Sequence, residues 1–338
     1  MDFSIVIASK NEIEYIQKCI ESIYSQDYKG DYEVLIIDGM STDGTQEKLL
    51  ELQKKYKFKL YKNEKVNAAA GRNIGIKNAK GKYISFIDAD AIADKSWLTE
   101  TKKCFEHRKD AAGVGGPDHL PKDSTERSKM IGWVMSSPLA RGGKLNPSTQ
   151  HSLLEEEKTA DHIPTCNLCI KKEILEKIGF FDEEFVKGQD LELNYRINKA
   201  GHKLIYSPKV KVVHYRKHHT KDFTKQIYKW AKAKVAIIKK HGFDGITSHI
   251  YLWPAYLIAG FFGSILFFYL LNLFELFVML FFIGSLFYIL VVLFESGQLS
   301  KKYKSSKLFF YSIFLIPIVH LSYFFGIIYA ISNRKIWK

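Results

Sequence analysis

Lys82-Tyr83-Ile84-Ser85-Phe86-Ile87-Asp88-Ala89-Asp90 is the stretch around which this 338-residue chain is organised. β-Branched and aromatic residues follow Gly81 almost without interruption, which predicts a buried strand. The strand runs directly into Asp88 and Asp90, two carboxylates separated by one small residue. On an irregular turn both carboxylates can face one divalent cation, whereas on a strand they would point to opposite faces. Taken alone, such a pair is more often a turn former or a helix N-cap.

The sequence around this stretch alternates strands, polar loops and helices. The predicted strands span residues 3–8, 33–37, 58–61 and 83–87, and the predicted helices residues 13–23, 46–56 and 68–78. This order predicts an α/β fold, Rossmann-like, with a mostly parallel sheet. Right-handed crossovers then bring the loops after Ala8, Ile37 and Ile87 to one sheet edge, where ligands bind in such folds. The polar residues expected to converge there are Asn11, Glu12, Asp38, Asp43, Asp88 and Asp90.

The second half of this α/β domain is less regular in sequence. Residues 111–165 are rich in Gly and Pro and predict a long loop region over a substrate cleft. Helices are predicted again at 172–178 and 189–199, and short strands at 203–206 and 210–213.

Charge and cysteine content limit the classes of function. The formal net charge is +14, and residues 251–338 hold seven basic and two acidic residues, or +5, which leaves +9 on residues 1–250. A basic excess indicates an anionic partner such as phosphates, a membrane surface or nucleic acid. The lysines are scattered without aromatic interleaving, so we expect no nucleic acid. Four cysteines in a chain of this length predict reduced thiols rather than a disulfide framework.

The C-terminal region is membrane-like in composition. Its three near-continuous apolar runs are residues 251–271, 274–294 and 308–331. Each reaches the roughly 20 residues that a membrane span requires. The predicted organisation is an α/β domain at 1–220, an amphipathic helix and linker at 221–248, and an all-α transmembrane region of about three helices at 249–338.

The polar link between the second and third runs, residues 295–307, carries four lysines and belongs on the cytoplasmic side. This predicts a multi-pass cell-membrane protein with a cytoplasmic α/β domain. The basic end 333–338 then falls outside, so the orientation of the third run, which contains Pro317, stays open. The helix at 223–240 is basic on one side and apolar on the other. A helix in the membrane interface and a surface helix packed on the domain both fit this pattern.

Over about residues 1–235 the chain resembles the inverting family 2 glycosyltransferases with the GT-A fold. The segments that carry the resemblance are Ile5–Glu12, Asp38–Thr45, Ala70–Gly75, Asp88–Asp90, Gly179–Glu183 and Gln189–Leu193. The resemblance implies transfer of a sugar from a nucleotide-diphosphate donor, UDP- or GDP-linked. The residues that it implies at the nucleotide sugar are Ala8, Ser9, Asn11, Glu12, Asp38, Arg72 and Asp88.

The chemistry of this reaction explains the residue types. Breaking a sugar–diphosphate bond develops negative charge on the leaving nucleotide, which a divalent cation (Mn²⁺ or Mg²⁺) and a cationic Arg72, expected at a helix N-terminus, neutralise. Asp88 and Asp90 match the metal-binding pair of the family. In some relatives a histidine after the last strand completes the metal shell, and His214 has that context, with His218 and His219 as competitors.

The acceptor side is implied by the same resemblance. Asp190 matches the carboxylate that takes the proton from the acceptor hydroxyl. Asn167 and Gln189 are the expected acceptor contacts, and Gln189 stands where the family usually has Glu. Gln226-Ile227-Tyr228-Lys229-Trp230 resembles the Gln-x-x-Arg-Trp signature of processive polysaccharide synthases, so Gln226 and Trp230 are further candidates. An interfacial role for Trp230 is the alternative.

Together these observations predict a membrane-anchored glycosyltransferase that acts on a lipid-linked or growing-glycan acceptor at the cytoplasmic face. The alternatives are a processive polysaccharide synthase and a non-catalytic membrane scaffold that binds nucleotide sugar. Cys166 and Cys169 have the spacing of half a zinc site, but no second pair stands near, so a structural role is expected. The oligomeric state is not determined by the sequence.

Overall fold

The structure is a computed structural model that describes residues 1–140, 154–215, 220–243 and 253–333. Its described residues form two compact units. The first unit contains residues 1–124 and 154–215, and the second contains residues 125–140, 220–243 and 253–333.

The first unit is an α/β domain. Its strands are β1 (Phe3–Ser9), β2 (Tyr32–Asp38), β3 (Phe58–Lys62), β4 (Tyr83–Asp88), β5 (Ala91–Ala93), β6 (Ala111–Gly115), β7 (Asp118–His119), β8 (Lys158–Ala160), β9 (Asn167–Lys171), β10 (Lys203–Tyr206) and β11 (Val212–His214). Its helices are α1 (Ile16–Tyr24), α2 (Thr45–Gln53), α3 (Ala68–Asn78), α4 (Trp97–His107), α6 (Lys172–Ile178) and α7 (Gln189–Lys199). The second unit contains α5 (Glu126–Met135), α8 (Thr220–His241), α9 (Trp253–Leu270), α10 (Phe274–Tyr303) and α11 (Ser306–Ser332).

Eight strands form one sheet in the order β3-β2-β1-β4-β9-β6-β10-β8, and β5-β11-β7 form a small second sheet. Strands β1, β2, β3 and β4 are parallel, as the sequence predicts. In the β1 register, Ser9 lies opposite Asp38 and Ala8 opposite Asp88. Strands β1, β2 and β4 therefore end at one edge of the sheet, and the predicted loops begin there.

The sheet is mixed rather than parallel throughout, because β9 runs antiparallel to both β4 and β6. The sequence prediction of an irregular region at 111–165 was wrong for β6 and α5. A Cβ on Gly115 of β6 would lie 2.2 Å from the backbone oxygen of Asn167. The glycines that looked like loop signals therefore mark a strand packed tightly against its neighbours.

Two apolar clusters cover the two faces of the main sheet. In β1, Ile5 and Ile7 belong to one cluster and Val6 to the other. In β2, Ile36 belongs to the cluster of Ile5 and Ile7, and Leu35 belongs to the cluster of Val6. Alternate side chains of a strand point to opposite faces, so these continuous apolar runs are buried on both sides.

In the second unit, two of the described helices, α10 and α11, are long and apolar enough to span a membrane. Helix α10 continues to Tyr303, so the link predicted at 295–307 is largely helical. Pro317 lies within a continuous α11 and does not end it. Helix α9 covers most of the first predicted run, whose residues 251 and 252 lie outside the described part.

Helix α8 packs closely against α11. A Cβ on Gly326 of α11 would lie 2.5 Å from the backbone oxygen of Tyr228 and 2.7 Å from the Ala231 Cβ. Lys239 Nζ donates to the backbone oxygens of Ala330, at 2.7 Å, and Asn333, at 3.0 Å. One side of the predicted amphipathic helix is therefore covered by an apolar helix of the same unit.

Candidate active site

The end of β2 holds Asp38 in a fixed orientation. Asp38 is 2% exposed, and its carboxylate accepts hydrogen bonds from the Ser41 hydroxyl at 2.6 Å and from Gln46 Nε2 at 2.6 Å. The Ser9 hydroxyl, across the β1–β2 register, is buried without a hydrogen-bond partner among the described residues. A polar ligand at this edge would supply a partner for that hydroxyl, since buried polar groups are normally hydrogen-bonded.

The loops after β1 and β2 are joined by hydrogen bonds. Asn11 Oδ1 accepts from the Thr42 backbone N–H at 2.8 Å, and the Glu12 N–H donates to the Thr45 hydroxyl at 2.9 Å. Asp43 accepts from the Ile13 N–H at 3.2 Å. Asn11, Glu12 and Asp43 therefore lie together as predicted. These contacts hold the two loops to each other.

Arg72 and Asp88 form the central ion pair, with 2.9 Å between Arg72 Nη2 and Asp88 Oδ1. Arg72 lies in the second turn of α3 rather than at its N-terminus, where the sequence analysis placed it. Its guanidinium stands 5.7 Å from the centre of the Phe181 ring. The Asn73 side chain exchanges two hydrogen bonds of 2.9 Å with the Phe181 backbone. The segment at 179–183 is therefore fixed to the helix that carries Arg72.

Asp88, Asp90 and His214 form a cluster with metal-ligand geometry. Their ligand atoms lie within 4.8 Å of one another. His214 Nε2 is 3.0 Å from Asp90 Oδ1 and 3.9 Å from Asp88 Oδ2. The Tyr215 backbone N–H donates to the Asp90 backbone oxygen at 2.8 Å and ties the end of β11 to the turn after β4. Two carboxylates and one imidazole fit Mn²⁺ or Mg²⁺. His218 and His219 lie outside the described residues.

A second group of side chains stands behind His214. Its Nδ1 is 3.7 Å from Asp118 Oδ2, and Cys166 Sγ is 3.7 Å from the same oxygen. Burial lowers the pKa of His214, but Asp90 and Cys166 outweigh burial and raise that pKa well above its ordinary value. The sequence analysis missed Asp118. The available signal was an acidic residue at the end of the apolar stretch 111–117.

Asp190 lies in the first turn of α7, beside His162. The distance between Asp190 Oδ2 and His162 Nε2 is 3.8 Å. Asn194, one helical turn after Asp190, donates through Nδ2 to the Ile163 backbone oxygen at 2.7 Å, and the same Nδ2 is 3.1 Å from His162 Nδ1. Because Asn194 must donate to the carbonyl, its amide also faces His162 as a donor, so Nδ1 accepts. The proton of neutral His162 is therefore on Nε2, towards Asp190.

Asn167 is enclosed by the protein. It is 1% exposed, and its amide bonds Trp97 Nε1 at 2.8 Å and the Val210 backbone oxygen at 2.7 Å. These contacts tie the start of β9 to helix α4 and to the segment before β11, and they occupy the amide that was expected to contact the acceptor. Gln189 is 8% exposed at the start of α7. Gln226 and Trp230 belong to the second unit, where Trp230 packs against an apolar cluster of that unit.

A cavity of about 260 Å³ lies beside α3. It is lined by Lys62, Lys65, Lys77 and Glu183 among others, and not by the predicted site residues. The Lys65–Glu183 ion pair, at 2.6 Å, occupies part of its wall. Lys62 lies opposite Asp38 in the β2–β3 register, so the cavity borders the same edge of the sheet without including the predicted site residues.

Comparison with known proteins gives a consistent result. Residues 4–179 match the family described as "Glycosyl transferase family 2". A Methanococcus voltae protein, "Dolichyl N-acetyl-alpha-D-glucosaminyl phosphate 3-beta-D-2,3-diacetamido-2,3-dideoxy-beta-D-glucuronosyltransferase", is 35% identical over 240 residues, which cover 68% of this chain and 72% of that protein. Glycosyltransferase AglE of Haloferax volcanii is 27% identical over 211 residues, 60% of this chain and 64% of that one.

A solved structure, the mannosyltransferase PcManGT from Pyrobaculum calidifontis in complex with GDP-Man and Mn²⁺, aligns with a TM-score of 0.55 and 20% identity. The alignment covers 75% of this chain and 69% of that chain. At this identity the likeness supports the fold.

The chain is thus an enzyme of the glycosyltransferase class with a GT-A fold. It belongs to glycosyltransferase family 2. The predicted family, fold class and enzyme class are confirmed.

Proposed function

We propose that this protein is a membrane-anchored, inverting glycosyltransferase that moves a sugar from a nucleotide diphosphate to a lipid-linked acceptor at the cytoplasmic face. The observation that carries the proposal is the cluster of Asp88, Asp90 and His214 at the sheet edge, with Arg72 bound to Asp88. This arrangement supports the proposal because it offers a diphosphate one fixed cationic side chain and one candidate cation-binding group.

The donor nucleotide binds along the ends of β1, β2 and β4 in this proposal. Ala8 and Ser9 supply the strand edge, and the loop at Asn11 and Glu12 forms the rim. Asp38 faces the base or ribose. Its hydrogen bonds to Ser41 and Gln46 hold the carboxylate in place before the donor arrives, which reduces the ordering cost of binding.

The cation ligands in this proposal are Asp88, Asp90 and His214 Nε2. A bound Mn²⁺ or Mg²⁺ supplies neutralisation of the charge that develops on the departing diphosphate. Arg72 acts on the same charge from the other side of Asp88 and needs no reorganisation during the reaction, because Phe181 and Asp88 already hold it. Asp118 keeps His214 Nε2 directed at the carboxylate pair.

Asp190 is the proposed base that takes the acceptor proton. His162 Nε2 lies 3.8 Å from Asp190 Oδ2, so the imidazole borders the side of the carboxylate on which this proposal places the acceptor hydroxyl. The segment from His162 to Cys166 supports a common site, because its first residue contacts Asp190 and its last contacts Asp118. The Cα atoms of His162 and Cys166 are four residues apart and thus separated by at most about 14 Å, which is compatible with a base and a cation group in one cleft.

A lipid-linked acceptor follows from two observations. The Methanococcus voltae relative is named as acting on a dolichyl-linked sugar phosphate. The second unit of this chain contains two helices that could span a membrane. An anchor holds the catalytic unit near lipid substrates and raises their effective concentration. Four lysines between residues 301 and 307 support a cytoplasmic position for the junction of these helices.

The test is a transfer assay with the full-length protein in lipid nanodiscs. A panel of UDP- and GDP-linked sugars is offered with polyprenyl-phosphate-linked acceptors, with Mn²⁺, with Mg²⁺ or with chelator. The proposal predicts glycosylated lipid from at least one donor, with the cation required. A protein that binds a nucleotide sugar in a thermal-shift assay but transfers it to no lipid-linked acceptor would instead support the scaffold alternative.

A further inference from the structure

A cluster of three potential metal ligands lies outside the site described above. Cys104 and His107 stand three residues apart on one face of α4, and Glu157 directly precedes β8. Their sulfur, nitrogen and oxygen atoms lie within 4.8 Å of one another. Cys104 is buried, whereas the side chains of His107 and Glu157 are 54% and 27% exposed. The cluster thus has a buried side and a side open to solvent.

The hydrogen bonds of His107 determine which ring nitrogen is available. Nδ1 is 2.7 Å from the Lys103 backbone oxygen. A carbonyl oxygen can only accept, so Nδ1 carries a proton. Nε2 is 2.7 Å from Glu157 Oε2. In a neutral imidazole this nitrogen would present a lone pair to the carboxylate, so the short contact requires a second proton on Nε2, and a metal ion could replace that proton.

The surroundings resemble the outer shell of a metal site. Histidines that bind a metal commonly donate their other ring N–H to a backbone carbonyl, as His107 does. Glu157 Oε1 accepts from the Ser207 hydroxyl at 3.0 Å, which leaves Oε2 directed at His107. Each of the two exposed ligands therefore has a partner that fixes its orientation.

We propose that Cys104, His107 and Glu157 form a binding site for a zinc-class cation, with solvent as the fourth ligand. A thiolate, an imidazole and a carboxylate are a donor set that Zn²⁺ takes in tetrahedral geometry, whereas Mg²⁺ prefers oxygen ligands. The open side at His107 accommodates the water. This inference does not depend on the proposed transfer reaction.

Small movements suffice for binding. A tetrahedral Zn²⁺ would hold Nε2 and the carboxylate oxygen about 3.3 Å apart, roughly 0.6 Å further than now. The half-exposed ring of His107 can make that movement. Burial raises the pKa of the Cys104 thiol to about 12, so the thiol stays protonated until a metal displaces its proton.

The consequence for the fold is a link between α4 and the edge of the sheet. β8 pairs with β10 only at the end of the sheet, and Glu157 is the residue before it. A metal at this position would connect Glu157, the residue before β8, to α4. This link would add to the three residue pairings between β8 and β10. The bound ion would therefore stabilise an edge strand that otherwise has one neighbour.

The experiment is a Co²⁺ titration of the metal-free, full-length protein in excess Mg²⁺, followed by the near-ultraviolet thiolate-to-cobalt absorption band. We expect the band to saturate at one equivalent and to be lost on addition of Zn²⁺. His107→Ala, a substitution at an exposed side chain, and Cys104→Ser should each lose the band. Cys169→Ser, at an equally buried cysteine bonded to Ser85, should keep it.

The cluster of Asp118, Cys166 and His214 also contains a thiol, and Cys166→Ser separates the two. A band that disappears in Cys166→Ser and persists in His107→Ala would overturn the proposal. So would the absence of any thiolate band in the wild-type protein. His107→Ala should leave sugar transfer with Mn²⁺ or Mg²⁺ unchanged, since His107 takes no part in the proposed donor or acceptor contacts.

Discussion

Arg72 on α3 donates to Asp88 at the end of β4 across 2.9 Å, and it makes this contact while stacked beside Phe181. The pair joins helix α3 to the end of strand β4, next to the proposed cation ligands. Arg72 is also almost fully buried, whereas the Asp88 carboxylate is 31% exposed. The exposed carboxylate is thus held from behind by a charge that water cannot screen well.

Replacing Arg72 tests this relationship. We expect Arg72→Ala to lower kcat/KM for the donor by roughly 10²–10³, the effect of removing one preorganised charge-stabilising group. Arg72→Lys should recover only part of the loss, because an ammonium lacks the planar fork that reaches both Asp88 and the diphosphate. Lys80→Ala, at an exposed lysine after the same helix, serves as the control in this kinetic assay. Equal rates for Arg72→Ala and Lys80→Ala would show that the pair has no catalytic role.

Asp118 provides a test of the cation group that does not use turnover. We expect Asp118→Asn to weaken Mn²⁺ binding about 10- to 100-fold, because the amide supports His214 less well than the carboxylate does. The measurement is Mn²⁺ paramagnetic resonance on the full-length protein with a nucleoside diphosphate present. Cys169→Ser, buried but outside the cluster, should bind Mn²⁺ as the wild type does. Unchanged Mn²⁺ affinity in Asp118→Asn would show that Asp118 does not support the cation ligand His214.

His162 is expected to act through Asp190. His162→Phe should lower kcat by up to roughly 10-fold and leave the donor KM unchanged, because it removes the polar imidazole that lies 3.8 Å from Asp190 Oδ2. Asn194→Leu should lower kcat by less, because it removes the hydrogen bond that fixes the tautomer of His162 but keeps the imidazole ring. Steady-state kinetics with varied donor and saturating acceptor separate these effects. A change in donor KM alone would indicate that His162 shapes the donor pocket instead.

Gly75 is where α3 comes closest to the sheet. A Cβ there would lie 2.4 Å from Val6 Cγ1 and 3.1 Å from Ile37 Cδ1. We expect Gly75→Ala to lower the free energy of unfolding of the first unit by about 1–3 kcal/mol through overpacking. In a Val6→Ala background the same substitution should cost less, because the space is then available. Equal costs in both backgrounds, measured by denaturant unfolding, would contradict the close approach.

The parallel half of the fold and the meeting of its polar loops at one sheet edge could be predicted because they depend on local signals. Continuous apolar strands such as Ile5–Ile7 end in polar loops, and right-handed crossovers align those loops. The antiparallel β9 and strand β6 could not be found in this way. Gly113 and Gly115 are required by close backbone packing between strands that are distant in sequence, and a local pattern cannot distinguish that requirement from a turn.

The same limit applies to the site. Asp88, Asp90 and Asp190 follow sequence motifs and could be proposed in advance. Asp118 and His162 approach His214 and Asp190 only in the folded chain, so no spacing rule points to them. Asn167 matched a motif, yet its amide is used by Trp97 and Val210. A motif match gives the position of a residue but not the partners of its side chain.

Replacing the proposed base tests the central claim most directly. The measurement is the rate of transfer by Asp190→Asn to a lipid-linked acceptor, together with the affinity of the same protein for the nucleotide sugar. We expect transfer to fall by roughly 10²–10⁴, the usual contribution of a general base, while donor affinity stays unchanged. Transfer at the wild-type rate by Asp190→Asn would contradict the assignment of the base and, with it, the proposed mechanism.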